Sequence, residues 1–297
     1  VKRIVAIFVF VAVLLGEAAA GGTIRIASVA LKNFGDSKAH DAHRLSFIAD
    51  RIAEQAVKGV CVADELQDAD GSAMQALEAA VTASAYTTIK MALSDRVGGG
   101  RKEQFAFFWN PKVVDMVGKV QTVYFDEIER DPGVATFKAS EGFDFTVCAF
   151  HTRPSGQELR DELAFLDDVF QHVQSMSDTE NDIVFVGDFN APPDDMTQFS
   201  QGTSMSENMG ELSATFQFVI RDAPTNVLQK KVFDNVFFDK RQTAEYVPGP
   251  QHVVRIDQML DEFTGKIDDP DPLDWFRRNV MDHCPVYAVF RADVDTD

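Results

Sequence analysis

Seven short apolar runs are spread along the chain, none longer than eight residues: IRIAS at 24–28, GVCVAD at 59–64, QFAFFW at 104–109, FDFTVCAF at 143–150, DIVFV at 182–186, VFDNVFF at 232–238 and PVYAVF at 285–290. Runs of this length, rich in β-branched and aromatic residues, predict strands buried on both faces. Only two stretches between them carry helical spacing. Leu45, Ile48 and Ile52 mark one, and Leu159, Leu163, Leu166, Val169 and Val173 the other. Strands that follow one another directly in sequence argue against a regular doubly wound sheet and predict an α+β layered fold. No internal repeat or long linker divides the chain, which predicts a single domain over 21–297. The polar stretches at 196–213 and 268–274 predict exposed loops.

Residues 1–20 read differently. Lys2 and Arg3 precede the apolar run IVAIFVFVAVLLG, and Ala18, Ala19 and Ala20 supply small residues at a cleavage site, so a secretory signal is expected and a secreted location with it. Removing that segment leaves 26 basic against 46 acidic residues, a net charge of −20, compared with −19 for the whole chain. So acidic a surface repels nucleic acid at long range and argues against a charge-driven DNA-binding module, although bound divalent cations reverse the sign locally. Three cysteines, Cys61, Cys148 and Cys284, do not make a disulfide framework; Cys61 and Cys148 lie inside apolar runs, so buried thiols are expected, and one disulfide pair stays open after export.

The chemistry gathers where strands stop. Glu65 follows GVCVAD, His151 follows FTVCAF, Asp188 and Asn190 follow DIVFV, and Asp282 and His283 directly precede PVYAVF. Each alone is an ordinary strand-end polar residue; four such clusters, far apart in sequence, point to one site. In DIVFVGDFN the carboxylate and the amide stand at i and i+2, a spacing that in an extended strand turns two oxygen ligands to one side. A carboxylate leaving the core is costly unless a positive charge meets it. Carboxylates with an amide suit Mg2+ or Mn2+, and two histidines suit proton transfer. No cysteine-rich zinc ligation and no serine nucleophile elbow is present.

GDFNAPP at 187–193, MDHCPVYAVF at 281–290, HTRP at 151–154 and VADELQDADG at 62–71 resemble the deoxyribonuclease I family of the endonuclease/exonuclease/phosphatase superfamily. The likeness runs in order through NFGDSK at 33–38, SDRVGGGRKEQFAFFW at 94–109, ERDP at 129–132 and FQFVIRDAPTN at 216–226. It implies a four-layer α/β/β/α sandwich of two mixed sheets flanked by helices, and a metal-dependent endonuclease acting on double-stranded DNA. By position it implies Glu65, Asp188, Asn190 and Asp282 around the metal and phosphate, with His151 and His283 as the acid–base pair. Glu103 would orient His151 and Asp234 would orient His283. Arg130 would contact DNA phosphate. Mg2+ or Mn2+ is the implied catalytic ion, with Ca2+ as a further ion, and no stable protein partner is implied.

The chain departs from that family at three places. The first strand of the family ends in an aromatic residue and an asparagine, where IRIASVALKNFG has Val29 and Ala30; Ala30 can neither ligate nor donate. One hydrogen bond to a charged group contributes about 1.5–3 kcal/mol, so this loss predicts a weakened enzyme. Gln67 stands where the family places a groove-entering arginine, and Arg101 where it places a tyrosine. Two rival readings follow: a related phosphodiesterase such as a sphingomyelinase, or a binding protein that keeps the fold.

Overall fold

The computed structural model describes residues 22–100, 102–177, 180–199, 215–249, 252–263, 267 and 269–296. The expected leader at 1–20 and Arg101 lie outside the described residues, as does most of the 196–213 stretch.

Among the described residues eleven strands form two mixed sheets. The first has the order β11 (Val286–Arg291), β1 (Thr23–Phe34), β2 (Gly59–Leu66), β4 (Gln104–Trp109) and β3 (Lys90–Leu93). The second has the order β5 (Val114–Thr122), β6 (Gly133–Ala139), β7 (Asp144–His151), β8 (Ile183–Asp188), β10 (Asp234–Asp239) and β9 (Phe216–Phe218). Each sheet contains one parallel pair, β1 with β2 and β7 with β8, and every other pairing between these strands is antiparallel. Parallel neighbours require a crossover, and each pair is joined by helices. The helices α1 (Asp36–Ala39) and α2 (Ala42–Ala56) connect β1 to β2, while α4 (Gly156–Ala164) and α5 (Leu166–Gln174) connect β7 to β8.

Three apolar layers bind these four layers together. Phe47, Ile48 and Ile52 of α2, Met74, Leu77 and Val81 of α3 (Ser72–Ala85) and Phe276 of α7 (Pro272–Asn279) cover the outer face of the first sheet. Leu163, Val169, Phe170 and Val173, with Met196 of α6 (Pro193–Phe199), cover the second. Between the sheets lie Ile24, Ile26, Val60, Val62, Phe105, Phe107, Phe145, Val147, Val184, Val186, Val236 and Phe238. Among the described residues the twelve largest fully buried side chains are all phenylalanine. Each contributes on the order of 2–3 kcal/mol by leaving water, and rings such as Phe185 and Phe237 stack 4.9 Å apart. Cys61, Cys148 and Cys284 are free and buried, the first two as their apolar runs predict, and burial pushes the Cys284 thiol up to about 12.

Several sequence expectations need correction. The second amphipathic stretch is two helices and not one, because Phe165 leaves helical geometry at φ −92°, ψ 0°. The acidic stretch at 268–274 is not all loop: Asp271 accepts a hydrogen bond from the Asp274 amide, and Pro272 opens α7. Residues 196–199 belong to α6. The first strand runs on to Phe34, six residues past the apolar run.

Candidate active site

The period of two along a strand explains where the polar residues come together. The side chains facing the inter-sheet core are Ile24 and Ile26 in β1, Val60 and Val62 in β2, Phe145, Val147 and Ala149 in β7, and Val184 and Val186 in β8. Continuing the β2, β7 and β8 series by two gives Asp64, His151 and Asp188, the β1 series runs through Ser28 to Ala30, and counting back from Val236 in β10 gives Asp234. These are the carboxyl ends of both parallel pairs, together with the start of the antiparallel strand beside them. Glu103 stands just before β4, and His283 shortly before β11, at the same edge. The site is therefore the open rim of the inter-sheet layer, at the position where crossover topology leaves a crevice.

Pairing registers set the spacing. His151 lies opposite Asp188, and Asp234 lies opposite Asp188 from the other side, so three polar residues form one row across β7, β8 and β10. That row requires Gly187. Its φ is +143°, and a Cβ there would sit 1.8 Å from the Phe150 carbonyl oxygen. Asp188 Oδ1 accepts the Asn190 amide at 2.8 Å, while Asn190, with φ +50°, donates its side-chain amide to the Thr152 carbonyl. Asn190 thus lies beyond the strand, and an Asx turn replaces the expected i, i+2 alternation. The turn fixes one oxygen of Asp188 and leaves Oδ2 facing the rim.

Both imidazoles are held by a carboxylate on Nδ1. His151 Nδ1 lies 2.8 Å from Glu103 Oε2, and His283 Nδ1 lies 3.2 and 3.0 Å from the two oxygens of Asp234. Asp188 Oδ2 stands between the rings, 3.9 Å from His151 Nε2 and 3.5 Å from His283 Nδ1. Glu103 is a hub: it also receives Arg130 Nε at 3.0 Å and the Gln67 amide at 3.2 Å. Arg130 and Gln67, expected against DNA, are thus engaged with Glu103, although a guanidinium retains further donors. Gln67 also donates to Asn33 Oδ1 at 2.5 Å.

The first sheet delivers its residues through bulges. The β1–β2 register slips between Ala30 and Phe34, and the β2–β4 register slips between Ala63 and Leu66. Within these bulges Lys32, Asn33 and Glu65 have φ of +46°, +56° and +57°. The Asn33 amide donates to Glu65 Oε2 at 3.1 Å. Asp282 forms an ion pair with Lys32 Nζ. Ala30 lies opposite Asp64 in the ladder, so both face the rim.

Electrostatics follow from burying so many acids together. Burial, reinforced by neighbouring acids, pushes the carboxyls of Asp64 and Glu65 up, with His151 opposing. For His151, burial disfavours the charged ring, but the Glu103 hydrogen bond with Asp188, Asp64 and Glu65 outweighs it and raises the group to about 9. His283 is likewise raised against its burial by Asp234 and Asp188. Burial pushes Glu103 upward, but the hydrogen bond and charge of His151, the Arg130 guanidinium and the Gln67 amide together outweigh it and hold the carboxyl below its ordinary value.

Such a cluster fits a hard divalent cation. One ligand atom each from Glu65, His151 and Asp188 lies within 4.8 Å of the others, and the same holds for Asp188, Asp234 and His283. Both oxygens of Asp64 and Oδ1 of Asp282 are buried without a protein hydrogen-bond partner. Asp282, expected as a ligand, belongs to neither group. A third acidic group, Asp36, Asp68 and Asp70, lies elsewhere. There Asp68 is committed to the backbone amides of Asp70, Gly71 and Met74.

Sequence reasoning missed four residues. Asp64 was legible from the alternation in GVCVAD. Thr225 orders Asp234 by accepting the amides of Phe233 and Asp234 on its hydroxyl. Lys38 is buried and gives its ammonium to the carbonyls of Leu31, Lys32 and Val280. Lys32 approaches Asp282 across 250 residues of chain, a pairing that no local pattern signals.

Comparison with known proteins gives a consistent result. The model of the Endonuclease/Exonuclease/phosphatase family matches residues 26–260. Deoxyribonuclease-1 of Gallus gallus is 27% identical over 181 residues, covering 57% of this chain and 61% of that protein, less than two thirds of its length. Deoxyribonuclease-1 of Bos taurus is 27% identical over 212 residues, covering 68% of this chain and 72% of that protein. Among solved structures, a humanized D. rerio TDP2 superimposes with a TM-score of 0.60 at 16% identity, covering 91% of this chain and 99% of that one.

Proposed function

The chain belongs to the Endonuclease/Exonuclease/phosphatase family, and from that premise we propose that it is a divalent-metal-dependent endonuclease that hydrolyses phosphodiester bonds of double-stranded DNA. The observation that carries this reading is the pair of imidazoles, each held by a carboxylate on Nδ1, on either side of Asp188. A carboxylate on Nδ1 fixes the tautomer, so Nε2 is the atom that exchanges protons with substrate. One imidazole takes the proton of the attacking water and the other returns a proton to the departing sugar oxygen. Raised basicity suits the ring that donates.

Glu65 and Asp188 would hold the cation, Mg2+ or Mn2+ by ligand chemistry, with Ca2+ as a further ion of the protein. When bound, that ion supplies charge compensation for phosphate oxygens as negative charge grows on them. The Asx turn at Asp188–Asn190 holds the carboxylate rigid, and the bulge at Glu65 aims the second one from the other sheet. The leader-like sequence at 1–20 supports secretion, so the substrate would be DNA outside the cell.

Plasmid nicking with Mg2+ and Ca2+, with and without chelator, tests the proposal, with sphingomyelin as the competing substrate. Asp188→Ala should lower DNA cleavage by roughly a hundredfold to ten-thousandfold while leaving thermal unfolding cooperative. Cleavage that survives the substitution or the chelator, or a preference for sphingomyelin, refutes it.

A further inference from the structure

Lys32 is the residue on this rim that the function so far leaves unused. Its ammonium rests on Asp282 Oδ2, and both side chains are 22% exposed, so the pair faces the open rim. A lysine–aspartate pair at a surface ordinarily contributes little, because two mobile side chains must be ordered. Here the backbone on each side is fixed. The buried ammonium of Lys38 binds the carbonyls of Leu31 and Lys32 and, from the other segment, that of Val280. Left-handed φ at Lys32 and Asn33 then turns the side chain of Lys32 toward the segment carrying Asp282 and His283.

An ammonium has three N–H donors, and Asp282 is the only acceptor that Lys32 has among the described residues. Two donors therefore remain for a ligand. The ligand must offer hydrogen-bond acceptors, as a phosphate oxygen does, and must fit beside a carboxylate that the ammonium already neutralises. Asp282 itself stands outside both carboxylate–imidazole groups that could hold a metal ion.

We propose that Lys32 binds a non-bridging oxygen of the substrate phosphate, and that its ammonium fills the place beside Asp282 that a second divalent cation would otherwise take. The proposal rests on the phosphodiesterase reading above. It assigns Asp282 Oδ2 to holding the lysine in place of a second ion. A fixed charge at that point also offsets part of the acidity that would repel a phosphate.

The test uses the intact protein with Lys32→Gln, Lys32→Arg and the double variant Lys32→Gln with Asp282→Asn. Kinetics on plasmid DNA should show KM for Lys32→Gln rising about ten- to a hundredfold, with kcat less affected and KM of Lys32→Arg near that of the unsubstituted protein. Titration calorimetry with Mn2+ alone, without substrate, should show one more ion bound by Lys32→Gln than by the unsubstituted protein. The double variant should lose that extra ion. Unchanged KM in Lys32→Gln overturns the phosphate contact, and unchanged Mn2+ stoichiometry overturns the displaced ion. If the unsubstituted protein cleaves no diester, the functional reading fails instead, and the Mn2+ stoichiometry alone then judges the place given to the ammonium.

Discussion

The two sheets bring side chains to the same rim by different means. In the second sheet His151, Asp188 and Asp234 come off regular strands in a single row, placed by ladder register alone. In the first sheet Glu65, Lys32 and Asn33 come off bulges, each at positive φ. A regular ladder fixes a side chain at little local cost, whereas a bulge stores strain of about 1–3 kcal/mol per residue that the surrounding packing must hold. The second sheet thus holds its row of imidazole and carboxylates as a rigid platform. The first is the sheet in which side chains could be re-aimed, and it is also where Ala30 and Lys32 stand.

The largest effect should come from breaking the regular platform. Gly187→Ala would drive a Cβ into the Phe150 carbonyl, so β7 and β8 must separate. A destabilisation above about 4 kcal/mol is expected, with loss of the chemical-denaturation transition or a sharp drop in its midpoint. A protein that unfolds near the unsubstituted midpoint would show that the row tolerates displacement.

Next comes the charge held on that platform. The folded pKa of His151 lies above its ordinary value of 6.5, at about 9, so the folded state holds the proton more tightly than the unfolded chain. The resulting stability is fully present below pH 6.5 and is lost as pH rises through 9, by about 3 kcal/mol in the metal-free protein. Thermal unfolding in chelator from pH 6 to 10 should show this decline. Glu103→Gln removes the hydrogen bond that raises the imidazole and should flatten it; an equal slope in both proteins would show that another group titrates.

Within the first sheet, Ala30→Asn restores an amide opposite Asp64 and should raise DNA cleavage about tenfold, the value of one hydrogen bond to a charged group. No gain in kcat/KM means that position 30 takes no part in the site. The smallest effect tests the strain itself. Glu65→Gly relieves a non-glycine residue at φ +57° and removes a buried carboxyl, so the metal-free protein should gain about 1 kcal/mol in urea unfolding while losing Mn2+ affinity. A less stable variant would show that the bulge is held by the glutamate and not strained by it.

Legibility in the sequence followed the same division. The two-faced burial of the central strands leaves runs such as DIVFV and FTVCAF that need no context, and polar residues that break such runs are conspicuous. His151, Asp188 and His283 stand out in that way, and Glu103 and Asp234 only through family resemblance. Two of the edge strands leave weaker traces: β3 has only four residues with exposed ends, β5 is interrupted by exposed residues, and neither gives an apolar run. α3 is rich in alanine, with only Met74, Leu77 and Val81 as larger buried anchors, so its periodicity is faint. The bulges left no trace at all, because a register slip depends on the partner strand.

The sequence by itself determined the layered α+β class, the central strands and the residue types at their ends, because burial and the period of two act locally along the chain. Only the tertiary structure decided which of those residues share an ion-sized space. It drew Arg130 and Gln67 onto Glu103, paired Asp282 with Lys32, and set Asp188 between the two imidazoles. These choices depend on distances between segments as much as 250 residues apart, and such distances are fixed by sheet register, bulges and the buried ammonium of Lys38.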